Sequence, residues 1–164
     1  MLRQLIPAEV EQYIQDDTVR PHLSAEFRTT QGRQVWGLFE DKYAAYDEPS
    51  EHPQAIICVA FTDHPPRDEF ELKWFSACAY AGKSSPTTAV FYTVWSYTPG
   101  SGREIVNQVA AHIQHNTNVS RWVTLSPLTN MAKRFHTKNG AQLNSVHDTC
   151  QIFEYTHLML KAET

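Results

Sequence analysis

One stretch, Ala89 to Ala141, limits the folds open to this chain more than any other. It opens with the apolar, β-branched and aromatic run Ala89–Trp95, which reads as a buried strand. Tyr97-Thr98-Pro99-Gly100-Ser101-Gly102 then forms a turn with two glycines. From Arg103 to about His115, the spacing of Ile105, Val106, Val109, Ala110 and Ile113 predicts an amphipathic helix. A second strand over Arg121–Ser126 and a short helix over about Asn130–Lys138 complete the unit. In such an arrangement the first helix presents its free backbone N–H groups at the mouth of a sheet, where an anion can sit.

Composition narrows the classes. At 164 residues, 41% hydrophobic and 20% charged, the chain reads as one ordinary globular domain with a substantial core. A net charge of -4 gives no general attraction to nucleic acid or an anionic membrane. Cys58, Cys78 and Cys150 are odd in number, far apart, and not at metal spacing. A reducing, cytoplasmic setting is therefore expected, and no metal. The opening MLRQLIPAEVEQYIQ has no apolar core of signal-peptide length, and no run is long enough to span a bilayer.

Taken in order, Pro7 suits the first turn of a helix running to about Gln15, with Glu9 and Glu11 near its start. Val19–Gly32 is polar and mixed, and no element is assigned there. Gln34–Phe39 reads as a strand, Tyr43–Pro53 as a turn-rich connection, and the apolar Gln54–Thr62 as a central strand. Asp63–Asp68, with Pro65-Pro66, is a loop. Glu69–Tyr80 stays open, because EFELKW alternates like a strand while SACAYAG does not. Gly82–Pro86 is another loop. Gln142–Val146 and Cys150–Leu160 read as closing strands. The expectation is a single α+β domain spanning 1–164, with a mixed sheet flanked by helices.

Gly100 and Gly102 can bring backbone close to a ligand and adopt positive φ without penalty. N–H groups around Gly100, Ser101, Gly102 and Arg103 would suit a pyrophosphate. A G-x-G between strand and helix also serves simply as a turn. A P-loop's Lys-Ser/Thr pair is missing, as is the third glycine of a dinucleotide fingerprint.

The order of elements resembles the acetyl-CoA-binding half of the GNAT acyltransferase superfamily, with its loop Q/R-x-x-G-x-G/A and later helix motif A-x-x-F/L-Y-x-k-x-G. Both loop glycines match, while Tyr97 stands in place of Gln or Arg. Ala132-Lys133-Arg134-Phe135-His136-Thr137-Lys138-Asn139-Gly140 matches the second motif, with His136 in place of the usual Tyr. Within that superfamily, Phe91-Tyr92-Thr93-Val94, Thr124-Leu125-Ser126-Pro127 and Phe135-His136-Thr137-Lys138-Asn139-Gly140-Ala141 resemble the catalytic domain of malonyl-CoA decarboxylase. This likeness covers about residues 54–145 and implies Ser126 and His136 as a catalytic pair. The decarboxylases carry a further helical domain that 164 residues cannot hold, and the region after Ala141 matches poorly.

The resemblance implies an acyl-CoA-dependent N-acyltransferase taking its acyl group from acetyl-CoA. The acceptor would be an amine that the sequence does not identify, with a homodimer possible. Val94, Trp95 and Tyr97 join the glycine turn as implied cofactor-binding residues; backbone N–H groups near Val94 and Trp95 would polarise the thioester carbonyl. His136 would be the general acid, on an ordinary imidazole pKa of about 6.5. Glu40, Asp63 and His64 are candidates for the base, and the sequence does not choose among them. The alternatives are decarboxylation of a malonyl-type thioester by Ser126 and His136, and a non-catalytic acyl-CoA-binding domain, which Tyr97 favours.

Each choice has a plainer competitor. Ser126 can cap the following helix, and His136 can be a packing residue. His112 and His115 read as surface, and His147-Asp148 as a loop. Trp74, Phe75, Trp95 and Trp122 read as core. Lys133, Arg134 and Lys138 are either a solvated face or cations for CoA phosphates.

Overall fold

The apolar runs form the centre of one mixed sheet in the computed structural model, which describes residues 1–41 and 52–156. Strands β1 (Leu2–Gln4), β2 (Gln34–Leu38), β3 (Ala55–Thr62), β4 (Thr88–Ser96), β5 (Arg121–Thr124), β6 (Ser126–Pro127), β7 (Ala141–Val146) and β8 (Cys150–Tyr155) are its members. Their order is β1-β2-β3-β4-β5-β8-β6, with β7 also pairing β8. The β4–β5 pair is parallel and the others are antiparallel. Helices α1 (Pro7–Tyr13), α2 (Ala25–Thr29), α3 (Glu69–Tyr80), α4 (Ser101–Asn116) and α5 (Asn130–Lys138) flank the sheet. The expected α+β architecture is the observed one.

Both faces of the central strands are covered, which is why β3 reads as an unbroken apolar run. Ile57 and Val59 join the stripe of α4, namely Ile105, Val106, Val109, Ala110 and Ile113. Ile56, Cys58 and Ala60 pack on the opposite face with Val10 of α1, Ala25 of α2 and Leu72 of α3.

Several expectations need correction. The open segment Glu69–Tyr80 is a helix, begun by Asp68, whose carboxylate accepts the Glu71 N–H at 2.8 Å. Its alternation misleads because Phe70 and Trp74 are exposed, at 74% and 61%; Trp74 is therefore not core. The unassigned Val19–Gly32 contains α2, capped by Ser24, which accepts from the Phe27 N–H at 3.0 Å. Helix α4 starts at Ser101 rather than Arg103, so Gly102 lies inside its first turn. The strand expected over Arg121–Ser126 breaks at Leu125 into β5 and β6. The last strand ends at Tyr155; its expected continuation from residue 157, and residues 43–51 of the turn-rich connection, lie outside the described residues.

Two irregularities in the middle of the sheet create the site. Cα pairing between β3 and β4 steps from Val59↔Phe91 to Cys58↔Thr93, leaving Tyr92 as an extra residue. This β-bulge puts Tyr92 and Thr93 on the same face: Tyr92 packs into the α1–α3 layer, and the Thr93 hydroxyl lies 3.4 Å from Arg28 Nη1 in it. The parallel ladder ends at the same level, with Phe91↔Thr124 as its last pair and a final bond from the Leu125 N–H to the Phe91 carbonyl at 3.0 Å. Beyond it, β4 continues to Ser96 against β3 alone, and a gap opens on its other edge.

Candidate active site

A cavity of about 620 Å³ occupies that gap. Its lining comes from both sides of the sheet: Gln15, Asp16, Thr18 and Val19 before α2, Val94–Tyr97 of β4 and its turn, Gly102 of α4, Ser126 of β6, and Phe135 and His136 of α5. The structure thus brings Ser126, His136, Val94, Trp95, Tyr97 and Gly102 to one cavity. Gly100, Ser101 and Arg103 do not line it, but sit at the adjoining start of α4.

Gly100 is the N-cap of α4 at φ +80°, a conformation other residues rarely adopt. The Ser101 hydroxyl donates to the carbonyls of Gln54 at 2.8 Å and Thr98 at 2.6 Å, tying the turn to the start of β3. The Ser101 N–H bonds the Thr98 carbonyl and the Glu104 N–H the Gly100 carbonyl. Those of Gly102 and Arg103 have no protein acceptor among the described residues. A Cβ on Gly102 would meet the Phe135 ring at 3.4 Å, at ordinary contact distance, so there is room for a methyl group but little beyond it.

Ser126 is 3% exposed, and its Oγ lies 2.8 Å from Thr124 Oγ1. Thr124 Oγ1 in turn accepts the Phe153 N–H at 3.1 Å. Thr124 Oγ1 keeps a second lone pair and its proton, so either hydroxyl can donate in the bond to Ser126. Ser126 is not a helix cap, because Thr129 takes that place by accepting the Ala132 N–H at 3.2 Å.

His136 is 6% exposed, stacks on Phe153 at 5.6 Å between ring centroids, and places Nδ1 2.6 Å from the Tyr155 hydroxyl. Burial pushes its pKa down from 6.5 to about 4. The expectation of an imidazole titrating near neutrality fails on that desolvation: at pH 7 the ring is neutral. Burial also pushes the Tyr155 phenol up, so it keeps its proton. A phenol donating to Nδ1 leaves the ring proton on Nε2.

The proposed bases are elsewhere. Glu40, Asp63 and His64 do not line the cavity, and Asp63 pairs with His64 at 2.6 Å. Lys133, Arg134 and Lys138 are exposed. So are His112 and His115, whereas His147 is half-buried, with Nε2 2.9 Å from Ser145 Oγ. Trp122 is buried and Trp95 and Phe75 are partly so. No group of three or more potential metal ligands occurs among the described residues. No helix among them is long and apolar enough to cross a membrane.

Sequence reading missed two features. Asp16 enters the cavity from the 3₁₀ turn Ile14–Asp16 after α1. The other is a buried ionic network behind the bulge: Arg20 Nη1 donates to the Tyr92 carbonyl, and Arg28 Nη1 donates to Asp17 at 2.8 Å. Arg28, Asp17 and Arg20 are 0%, 2% and 4% exposed. Arg20 and Arg28 lie in the stretch Val19–Gly32, to which no element was assigned, and Asp17 lies just before it; nothing in the local pattern marks them as partners.

Solved structures share this chain's fold. The GNAT-like decarboxylase GphF in complex with isobutyryl-CoA matches with a TM-score of 0.65 and 12% identity, over 95% of this chain and 98% of that one. NAA60 of Arabidopsis thaliana, in complex with acetyl-CoA, matches at 0.61 and 13%, over 94% and 97%. The chain has the GNAT fold. A malonyl-CoA decarboxylase from Rhodopseudomonas palustris is similar at 0.50 and 23% identity over 82% of this chain. The chain spans about a third of that protein's length, 32%. No family model and no curated protein matches the sequence.

Proposed function

We propose that the chain is an acyl-CoA-dependent acyltransferase that passes its acyl group to an amine. The observation that carries this is the single cavity joining the edge of β4 after its bulge to two buried, uncharged donors, Ser126 and His136. A pantetheine arm fits a gap between strands because the strand edge offers backbone groups to its amides. The free N–H groups of Gly102 and Arg103 suit the pyrophosphate, and Arg103 on α4 and Lys133 and Arg134 on α5 are exposed cations.

In the reaction the amine nitrogen bonds to the thioester carbon, the C–S bond breaks, and its electron pair goes to sulfur, which receives a proton the amine gives up. N–H groups near Val94 and Trp95 polarise the carbonyl. The neutral His136 acts as a hydrogen-bond donor through Nε2 rather than as a charged acid. The acetyl-CoA and acyl-CoA ligands of similar structures support this reading.

Decarboxylation is the second reading, favoured by the same pair: a neutral serine and a neutral histidine suit an enolate that forms on a thioester in a dry site. The two readings separate by mass spectrometry of purified protein with acetyl-CoA plus a panel of amines, and with malonyl-CoA alone. N-acetylated amine supports transfer. Conversion of malonyl-CoA to acetyl-CoA, lost in both Ser126→Ala and His136→Ala, supports decarboxylation. Neither product, together with no binding of any CoA species, overturns both.

A further inference from the structure

The cavity has apolar walls and one fixed charge. Val19, Val94, Trp95, Leu125, Met131 and Phe135 supply much of the wall. Asp16 is the only ionised side chain among the described residues that line it, His136 being neutral. No cation pairs with Asp16 among the described residues. Instead a chain of neutral donors orients it. Trp95 Nε1–H donates to Tyr97 Oη at 3.0 Å, and the Tyr97 hydroxyl donates to Asp16 Oδ2 at 2.7 Å. His52 and Tyr13 pack edge-on against the Tyr97 ring, at 4.5 and 6.5 Å between centroids. Burial and the Asp16 carboxylate both push the phenol up, so it stays a donor. Oδ1 of Asp16 has no protein partner among the described residues.

A carboxylate that is oriented but that no cation among the described residues neutralises, at the edge of an apolar cavity, selects for positive charge. We infer that Asp16 is the anchor of the acceptor, and that the acceptor is an alkylammonium with a compact apolar body. The inference rests on the acyl-transfer reading of the cavity. It also assigns Tyr97, which departs from the residue types usual at its place, to the acceptor side and not to the pyrophosphate. The bound ammonium gives one proton to water, and the freed amine nitrogen bonds to the thioester carbon. The C–S bond breaks with its electron pair on sulfur, and the second amine proton ends there as the free thiol.

The test is calorimetric binding of phenethylamine and of 2-phenylethanol, its uncharged counterpart, to CoA-saturated protein at neutral pH. Asn at position 16 keeps an acceptor for the Tyr97 hydroxyl, so Asp16→Asn removes charge without removing that bond. The amine is expected to bind wild type about ten-fold or more tighter than the alcohol, and Asp16→Asn to lose about ten-fold in amine affinity, each ten-fold step being about 1.4 kcal/mol. CoA affinity should not change. An amine that binds no better than the alcohol, or equally well to the variant, overturns the inference. A parallel incubation with acetyl-CoA tests the underlying reading: charge-dependent binding without N-acetylphenethylamine sinks the transferase and leaves Asp16 as a cation site.

Discussion

At His136, burial beneath Phe153 and beside the Tyr155 hydroxyl removes the charge that imidazole otherwise carries below pH 6.5. The folded pKa, about 4, lies below the ordinary 6.5. The unfolded chain therefore takes up the proton first, and stability falls as pH drops from about 6.5 towards about 4. At 1.36 kcal/mol per pKa unit, that shift corresponds to about 3 kcal/mol by the lower pH. In urea titrations, His136→Gln should lose less stability between pH 7 and pH 4 than wild type, by about that amount. Parallel pH profiles for the two proteins would show that the histidine is not held neutral. The motif containing His136 was legible in the sequence, but its protonation was not, because desolvation comes from Phe153 and Tyr155, 17 and 19 residues away.

Strand β4 shows the same limit for elements. Its apolar run is plain in the sequence, and so are β3 and the stripe of α4. The bulge at Tyr92 is not, since Phe91-Tyr92-Thr93 reads as uninterrupted strand. What holds the bulge is also remote: Arg20 takes the Tyr92 carbonyl, Arg28 reaches the Thr93 hydroxyl, and Asp17 accepts from the Arg20 N–H and Arg28 Nη1. By contrast, α3 carried a local sign that alternation obscured: Asp68 followed three residues later by Glu71, a helix-start pair. Removing one member of a buried ion pair leaves the other without compensation. Asp17→Asn should therefore destabilise the protein by about 3–5 kcal/mol, read as a lower denaturation midpoint. Replacing Asp17 and Arg28 together with apolar residues should recover much of the loss. A single variant within about 1 kcal/mol of wild type, the range of an exposed pair, would show that the network does not hold the bulge.

On the scale of the whole molecule, the gap is a cost of the fold that a ligand can offset. Beyond Phe91 and Thr124 two central strands stop pairing, and the space between them is lined from both layers, by residues as far apart as Gln15 and His136. Closing it requires something that meets strand-edge backbone groups, the two free N–H groups of α4 and the apolar wall at once. On the proposed function an acyl-CoA would do so along its length, and it would bind the folded state alone because the unfolded chain has no gap. Mass action then sets the expected result: at about 100 times its dissociation constant, acetyl-CoA stabilises by about 2.7 kcal/mol. For a domain of this size that is a rise in Tm of about 5–10 °C. Gly102→Val, whose larger side chain would press on the Phe135 ring where a Cβ alone already stands at 3.4 Å, should separate α4 from α5 and reduce the rise. An unchanged Tm in wild type at saturating acetyl-CoA and malonyl-CoA would mean that the gap closes on some other ligand. An equal rise in the Gly102 variant would place the CoA away from the start of α4.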